Sequence, residues 1–464
     1  MVSLRDIGLL LLAAPAIAAP KAPAEITVKT LPFSPSADTS KAPSSSASTS
    51  PTSDAAQRAG CQLPLRFTTF ALYSDTGCQN AIYDPFTLTW DPCKGYQWTN
   101  ALANVLSIFP RYFSNLHSMS YTLEPNVAAV LPVKQGQLTI QQRPVPNPKE
   151  GELLVRNAAV AANPSDWKIQ GFGLSTNFPA VLGSDLSGVI VSVGPGVTRF
   201  KPGDRVIGFA LGVISENIDK AAFQTYTLLD EVATTHLPDN ISLEEGSVLP
   251  VGVLTAAIAL FDGLGLPMRE KTAEEYGAIL VWSGASAVGI SAVQIAHALG
   301  WTAYTTASLK HHEWLKTLGA TDTWDYRDPE VAQKIAQALR SSGKKIRGVI
   351  DARAEGSSFE SVAKILTAAD IKPECKATAL FPWPEETSLP AGIEGHHTNC
   401  VGFTVNYPDI ASWIFGGWLS KALEDGRIKP APRARVIEGG LEATQEMLNL
   451  LKAGASGEKF VLKV

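Results

Sequence analysis

One segment constrains the fold of this chain more than any other, because a loop of small residues joins an apolar strand to a helix. Ala278–Trp282 is typical of a buried strand, and Val288–Leu299 has the pattern of a helix. The loop between them reads SGASAVG. Small residues let a backbone approach an anion, and a helix N-terminus adds partial positive charge. We therefore predict a pyrophosphate-binding loop, with an ordinary tight strand–helix turn as the alternative.

The next strand indicates which dinucleotide this loop binds. In an NAD site, an Asp or Glu about 20 residues further on binds the ribose 2′-hydroxyl. Here the strand Thr302–Thr306 is followed by Ser308, Lys310 and His311, and the stretch contains no acid. These side chains suit a 2′-phosphate through charge-assisted hydrogen bonds. We therefore predict NADPH as the cofactor rather than NADH.

The rest of the chain indicates an α/β fold. Further strands at Arg347–Asp351 and Thr378–Leu380 continue an alternation of strands and helices, which predicts a parallel sheet covered on both faces. Upstream, short strands separated by Gly and Pro predict a compact β-rich domain: LLVRNAAVAA, GVIVSVGPG, DRVIGFA and FQTYTLL. The C-terminal EKFVLKV is a closing strand that we expect to rejoin this β-rich domain.

Short motifs along the same region carry a family resemblance. They are ANPSDWK from Ala162, LGSDLSG from Leu182, FKPGDRV from Phe200, LPVG from Leu249 with Thr255-Ala256, WDYR from Trp324, GGLE from Gly439 and SGEK from Ser456. With them, the run from Pro132 to Val464 resembles the zinc-free medium-chain dehydrogenase/reductase superfamily, and within it the fungal trans-acting enoyl reductases of polyketide pathways. The resemblance implies a GroES-like domain, residues 119–250 and 401–464, split around a doubly wound Rossmann domain, residues 251–400.

The resemblance also implies the residues of a site in the cleft between these domains. The cofactor would contact Ser165, Asp166, Trp167 and Lys168 beside the nicotinamide, Ala285, Ser286, Ala287 and Val288 at the pyrophosphate, Ser308, Lys310 and His311 at the 2′-phosphate, Tyr326 at the adenosine, and Leu380, Phe381, Ala455 and Ser456 over the nicotinamide half. The substrate wall would run over Val253–Leu260, including Thr255, and over Gly402, Phe403, Thr404, Val405 and Asn406. Phe381 departs from the relatives, in which a small polar residue is common.

Zinc is not expected. Zinc-dependent relatives have a Cys where Asn163-Pro164-Ser165 lies and a His-Glu pair where Ser184-Asp185 lies. The four-cysteine structural zinc loop is missing too, since the reductase part has only Cys375 and Cys400. A closed zinc site needs thiolate or imidazole ligands. We therefore predict no metal.

Without a strong Lewis acid, hydride transfer is most natural to a C=C bond already activated by a carbonyl. Lys168 and Thr255 are our candidate catalytic residues, each placed to donate a hydrogen bond to that carbonyl. A cofactor contact for Lys168 and a hydroxyl bonded to its own helix for Thr255 are the alternatives, and solvent is an equally suitable proton source.

Three functions remain open at this point. The first is an enoyl reductase on a small-molecule or acyl-carrier-bound substrate, with a polyketide synthase as partner. The second is a general enone or quinone reductase, and the third is a secreted, non-catalytic protein with a reductase-like scaffold. The net charge of −5 lacks the basic excess that is typical of nucleic-acid-binding proteins. The relatives occur as monomers and homodimers, so oligomeric state stays open.

The residues before Met119 have a different character. Residues 1–19 have the sequence pattern of a secretory signal peptide. Residues 20–60 are rich in Pro, Ser and Thr, which predicts a disordered linker. Residues 61–118 form a small block with Cys61, Cys78 and Cys93, to which we assign no role. Either this is a secreted leader or two neighbouring reading frames were joined. We favour the second explanation and expect a cytoplasmic reductase part.

Overall fold

The computed structural model describes residues 124–173, 177–270, 277–371 and 374–464, with four short strands upstream. The chain divides into two units, Met1–Thr122 and Leu123–Val464. The predicted signal peptide and the three cysteines of the N-terminal block lie outside the described residues.

The first unit contains two antiparallel strand pairs. Strand β1 (Thr27–Val28) pairs with β3 (Leu72–Tyr73), and β2 (Arg66–Phe70) pairs with β4 (Phe86–Thr89). Strand β1 falls inside the segment predicted to be a disordered linker; the rest of that segment lies outside the described residues, so the linker stays a prediction.

In the second unit, ten strands build what we call the β lobe. They are β5 (Asn126–Leu131), β6 (Thr139–Arg143), β7 (Glu152–Ala161), β8 (Ala180–Val181), β9 (Asp185–Val193), β10 (Arg205–Phe209), β11 (Tyr226–Asp230), β12 (Thr234–His236), β19 (Arg433–Ile437) and β20 (Glu458–Lys463). One sheet has the order β12-β10-β9-β7-β20-β19, with β11 also paired to β7, and the other has the order β6-β5-β8. The predicted return of the C-terminal strand is confirmed, because β20 pairs antiparallel with β7 and Val461 lies opposite Ala161.

Six parallel strands build what we call the parallel lobe. They are β13 (Ala278–Trp282), β14 (Thr302–Thr306), β15 (Ala320–Trp324), β16 (Ile346–Asp351), β17 (Lys376–Ala379) and β18 (Gly395–His397), in the order β15-β14-β13-β16-β17-β18. The strand order therefore reverses beside β13, where ligands bind in doubly wound sheets. The sequence predicts no strand at β18, because the letters GHH carry no strand signal and only pairing with β17 reveals it.

Among the described residues of the second unit, twelve α-helices connect the strands. They are α1 (Pro164–Phe172), α2 (Gly212–Ser215), α3 (Leu243–Ser247), α4 (Pro250–Ile258), α5 (Ala287–Ala298), α6 (His312–Thr317), α7 (Val331–Ser341), α8 (Ser358–Ala368), α9 (Phe403–Asn406), α10 (Pro408–Trp413), α11 (Leu419–Glu424) and α12 (Thr444–Ala453). Strand β13 shows why the parallel sheet is covered on both faces. Ile279 and Val281 join one apolar cluster, which includes α4 and α5, while Leu280 and Trp282 join another with α7 and α8.

Helix α4 connects the cores of the two lobes. The cluster that contains Ile279 also contains Val253 of α4 and Ile207 of the β lobe. Within the described part of the chain, the helical run Leu243–Gly263 is long and apolar enough to span a membrane, but 89% of its apolar window is buried in the fold. A buried core helix meets the same length and composition criteria.

Candidate active site

Close contacts explain the small residues of the predicted phosphate loop. A Cβ on Gly284 would lie 2.0 Å from Thr305 Oγ1, and one on Gly289 would lie 2.2 Å from the Ser283 carbonyl oxygen. Ser283 adopts a left-handed φ of 71°. The Ser286 hydroxyl accepts from the Gly289 N–H at 3.1 Å and donates to the Ser283 carbonyl at 2.8 Å, so it caps α5. The backbone of residues 285–288 therefore forms the N-terminus of α5 without large side chains in front of it.

A cavity of about 670 Å³ lies at the predicted 2′-phosphate end of the cleft. Its lining brings together the predicted residues Ser308, Lys310 and Ser456, and adds Leu309 and Arg327. Sequence reasoning missed Arg327, although it follows β15 of the same sheet as Lys310 follows β14. The Arg327 guanidinium donates to both carboxylate oxygens of Asp325, at 2.9 and 2.7 Å, and lowers the Asp325 pKa to about 2.

His311 has a different position from the one predicted. Its ring is buried, lies against Gly457, and its Nε2 is 2.9 Å from Ser456 Oγ. Burial, followed by the positive charges of Lys310 and Arg433, lowers the pKa of the ring. His311 is absent from the lining of the cavity beside it. It therefore joins the parallel lobe to the C-terminal part of the β lobe at this end of the cleft.

At the nicotinamide end, the structure brings Lys168 and Phe381 together. The Lys168 ammonium on α1 lies 4.7 Å from the centre of the Phe381 ring and 2.5 Å from Glu355 Oε1. Phe381 is 46% exposed, so its ring is available at the surface of the cleft. Sequence reasoning missed Glu355, because it lies in the loop after β16 and belongs to no periodic pattern.

Asp166 does not face the cleft. It is fully buried, and its carboxylate accepts from the Asn163 N–H at 2.7 Å and from the Gly183 N–H at 3.2 Å. Burial is the largest influence on this carboxyl and raises its pKa to about 7. The prediction that Asp166 contacts the cofactor is therefore corrected: its position at the third residue of α1 makes it a cap for the helix N-terminus.

Thr255 carries an unusual hydroxyl. The side chain is only 6% exposed, and its oxygen has no nitrogen or oxygen partner among the described residues. The proposed bond to its own helix is thus not seen. The neighbouring group is the Cys400 thiol: burial raises the pKa of this thiol, and a hydrogen bond with the Thr255 hydroxyl opposes that rise. A buried hydroxyl whose only neighbouring partner is a weakly bonding thiol is uncommon in folded proteins, so this one is a candidate ligand-facing group.

Most predicted residues of the substrate wall are packed in the core instead: all of Val253–Leu260 is buried, and so is Phe403. Phe403 is fully buried and stacks on Phe209 with ring centres 5.2 Å apart, and Val253 is 1% exposed. Gly402 begins α9 with a φ of 67°, which turns the Phe403 ring inward. Thr404 is half-buried, and Val405 and Asn406 are exposed at the end of this short helix. Helical position alone did not reveal which of these side chains points into the core.

The other predicted site residues are all exposed or half-buried. Ser165 and Ala455 are exposed, Trp167 and Leu380 are half-buried, Tyr326 is 47% exposed, and Ala285, Ala287 and Val288 are half-buried. The Trp167 ring lies 6.0 Å from that of Phe172 and 5.9 Å from the Lys452 ammonium.

A buried ion pair occupies the place where sequence reasoning looked for zinc ligands. The Lys459 ammonium of β20 donates to Asp185 Oδ2 and, at 3.0 Å, to Asn163 Oδ1. Lys459 is 4% exposed and Asp185 fully buried. A cation, an amide and one carboxylate do not form a zinc donor set. No cluster of three or more His, Cys, Asp or Glu side chains suited to a metal occurs in the described ranges.

Comparisons with known proteins agree with this architecture. Residues 149–239 match the family described as the alcohol dehydrogenase GroES-like domain. The chain is 37% identical over 352 residues to trans-enoyl reductase tndF of Aspergillus flavipes, covering 72% of this chain and 98% of that protein. It is 35% identical over 348 residues to dehydrogenase orf1 of Aspergillus niger, covering 73% and 98%.

Solved structures show the same fold. A zinc-dependent alcohol dehydrogenase-like protein from Rhizobium etli superposes with a TM-score of 0.61 at 24% identity, covering 74% of this chain and 99% of that one. The CurK enoyl reductase superposes with a TM-score of 0.57 at 19% identity, covering 73% and 99%. The GroES-like match, the doubly wound parallel sheet and the fungal relatives together lead to one assignment. The chain belongs to the medium-chain dehydrogenase/reductase superfamily and is an oxidoreductase of the enoyl-reductase type.

Proposed function

We propose that this protein uses NADPH, without zinc, to reduce a C=C bond conjugated to a carbonyl in a small-molecule or carrier-bound acyl substrate. The observation that carries the proposal is the pairing of two sites, each built from residues of both lobes. A cavity with hydroxyl, ammonium and guanidinium groups forms one site, and Lys168 with Phe381 forms the other. The fungal relatives named trans-enoyl reductases support the reaction type.

The chemistry of the cavity favours a phosphorylated ribose. Ser308 and Lys310 donate hydrogen bonds, and Arg327 adds a second positive charge near the same space. An Asp or Glu suited to a free 2′-hydroxyl is absent from the described stretch between β14 and α6. The residues therefore fit the 2′-phosphate of NADPH better than the hydroxyl of NADH.

Each candidate catalytic side chain has a defined task. The bound cofactor supplies the hydride. Thr255 presents a buried hydroxyl that would exchange its weak hydrogen bond with the Cys400 thiol for one donated to a substrate carbonyl, and the Lys168 ammonium would add positive charge where negative charge develops on that oxygen. The apolar face of Phe381 covers the space beside Lys168 and limits access of water.

The reaction is tested with the purified full chain, NADPH and two matched substrates, an α,β-unsaturated acyl thioester of N-acetylcysteamine and a simple cyclic enone. Loss of NADPH absorbance with formation of the saturated thioester supports the proposal. Reduction of the enone alone favours a general enone reductase. Absence of turnover with both, in a protein that binds NADPH, contradicts the proposed reaction.

Cofactor choice is tested with Ser308→Ala/Lys310→Ala. Each charge-assisted hydrogen bond contributes about 1.5–3 kcal/mol, so we expect the loss of two to raise the Kd for NADPH roughly 100- to 10,000-fold. The Kd for NADH should stay near its wild-type value, since it lacks the 2′-phosphate. Lys316→Ala, an exposed lysine of the same lobe, is the control. A similar loss of affinity for both nucleotides would contradict the assignment of the cavity.

A further inference from the structure

The buried pair Asp185–Lys459 is bonded to the starts of both helices that carry a candidate catalytic residue. The carboxylate of Asp185 accepts from the Val251 N–H at 2.7 Å, in the first turn of α4. Its other oxygen accepts from the Asn163 side-chain amide at 2.9 Å, and Asn163 is the residue before α1. Helix α4 carries Thr255, and α1 carries Lys168. One carboxylate therefore holds the starts of two helices that converge on the cleft.

Lys459 completes the same set of contacts from a third element. Its ammonium donates to Asp185, to Asn163 Oδ1 at 3.0 Å and to the Val248 carbonyl at 3.2 Å. Val248 lies two residues before Pro250, the first residue of α4, so both ends of the turn between residues 248 and 251 are bonded to the pair. All the partners are buried or half-buried. Water therefore does not substitute readily for any of these bonds.

We propose that Asp185 and Lys459 are positioning residues for the reduction: they set the distance and angle between Lys168 and Thr255. The proposal rests on the proposed function for its kinetic part. A buried ion pair is weak evidence for stability, because apolar replacements often stabilise equally well. A role in fixing the relative position of Lys168 and Thr255 explains the location of this charged pair. The pair does not line the 2′-phosphate cavity, yet it bonds to both helices that carry the candidate catalytic groups.

The first variant is Asp185→Asn/Lys459→Met, which removes both charges and approximately keeps side-chain volume. We expect kcat to fall by about 10- to 100-fold, since a displacement of about 1 Å at a reacting group has effects of this size. The Kd for NADPH should change far less, because the 2′-phosphate cavity is built from other residues. Lys459→Arg keeps a cation there and should recover part of kcat, and it serves as the test if the double variant does not fold.

The matched control is Glu152→Gln/Lys220→Met in the same lobe. Lys220 lies 2.8 Å from Glu152 and 2.6 Å from Asp230, and this largely buried network contacts neither α1 nor α4. We expect it to lower the Tm at least as much while leaving kcat near wild type. Equal losses of kcat in both double variants, or a folded Asp185→Asn/Lys459→Met protein with wild-type kcat, would overturn the proposal.

A second readout needs no turnover. Amide hydrogen exchange should become faster at residues 163–168 and 248–256 in Asp185→Asn/Lys459→Met, and not in the control. Faster exchange there in a protein whose wild type reduces no substrate would support the positioning contacts and contradict the proposed function. Substrate turnover by the wild-type protein, together with unchanged exchange in the variant, would support the proposed function and contradict the positioning contacts.

Discussion

Asp166 shows how one side chain can have a structural role at a position next to a candidate catalytic residue. Its carboxylate is bonded to two backbone N–H groups and is shielded from water, while the adjacent Lys168 reaches the cleft. Successive residues of a helix point in different directions, about 100° apart. A motif such as PSDWK therefore mixes cofactor-facing and core-facing positions, and only the three-dimensional contacts separate them.

The raised pKa of Asp166 predicts a pH dependence of stability. Its folded pKa of about 7 lies above the ordinary aspartate value of 3.8, so the folded state binds this proton more tightly than the unfolded state. The stabilisation of the fold by this bound proton is present in full below pH 3.8 and is lost as the pH rises through 7. We expect the free energy of unfolding to fall by roughly 1–4 kcal/mol across this window from Asp166 alone.

Urea unfolding of wild type and Asp166→Asn at pH 5 and pH 8 measures this contribution. The neutral amide does not titrate, so the variant should lose less stability between the two pH values. Asp351, another buried acid with a raised pKa, acts in the same direction in both proteins and cancels in the comparison. Equal pH dependence in the two proteins would show that Asp166 is ionised at low pH in the fold.

At the scale of elements, the turn between β13 and α5 is the most constrained part of the site. Gly284 packs against Thr305 of the neighbouring strand, and the Thr305 hydroxyl donates to the Val281 carbonyl at 2.7 Å. The phosphate loop, β13 and β14 therefore share one set of close contacts. A shift of the loop moves the N-terminus of α5 relative to the sheet.

Gly284→Ala should be destabilising for this reason. The added Cβ meets Thr305 Oγ1 at 2.0 Å, which we expect to cost about 1–3 kcal/mol and to weaken NADPH binding. Thermal unfolding and nucleotide titration measure both effects. Gly171→Ala in α1 is the control, because no atom lies within 4 Å of its Cβ, and it should be neutral or slightly stabilising. A Gly284→Ala protein as stable as Gly171→Ala would contradict this account.

The same elements show what sequence could predict. Apolar runs located β13 and β14 to the residue, because each buries side chains on both faces, and the phosphate-binding role of the small-residue loop stays a prediction. Strand β18, with the letters GHH, was missed because its only signal is pairing with β17. Lys459 was predicted only as part of a motif, since its partner Asp185 lies 274 residues away and local pattern carries no record of such a contact.

At the scale of the whole molecule, two contacts join the lobes at opposite ends of the cleft. His311 meets Ser456 at one end, and Lys168 meets Glu355 at the other. Glu355 is half-exposed, so its ion pair adds little to stability. The role we expect for Glu355 is to orient the Lys168 ammonium.

Glu355→Gln is therefore expected to leave the Tm almost unchanged and to lower kcat several-fold, since the oriented cation is replaced by a mobile one. Steady-state kinetics and calorimetry measure the two effects. Glu360→Gln, which removes an exposed helix pair with Lys364 in the same lobe, is the control and should change neither. Identical kcat values for the two variants would contradict an orienting role for Glu355.

The pairing of β20 with β7 also has a consequence for how the chain is made. Val461 lies opposite Ala161, so the ribosome must add 300 further residues (461 minus 161) before β7 gains this neighbour. At about 5–20 residues per second, that interval is roughly 15–60 s. Throughout it, β11 covers the first half of this β7 edge, and Ala159–Ala161 remain an unpaired strand end, the kind of surface that invites aggregation. Chaperone binding during translation should thus concentrate on β7 and cease once the final strand leaves the exit tunnel.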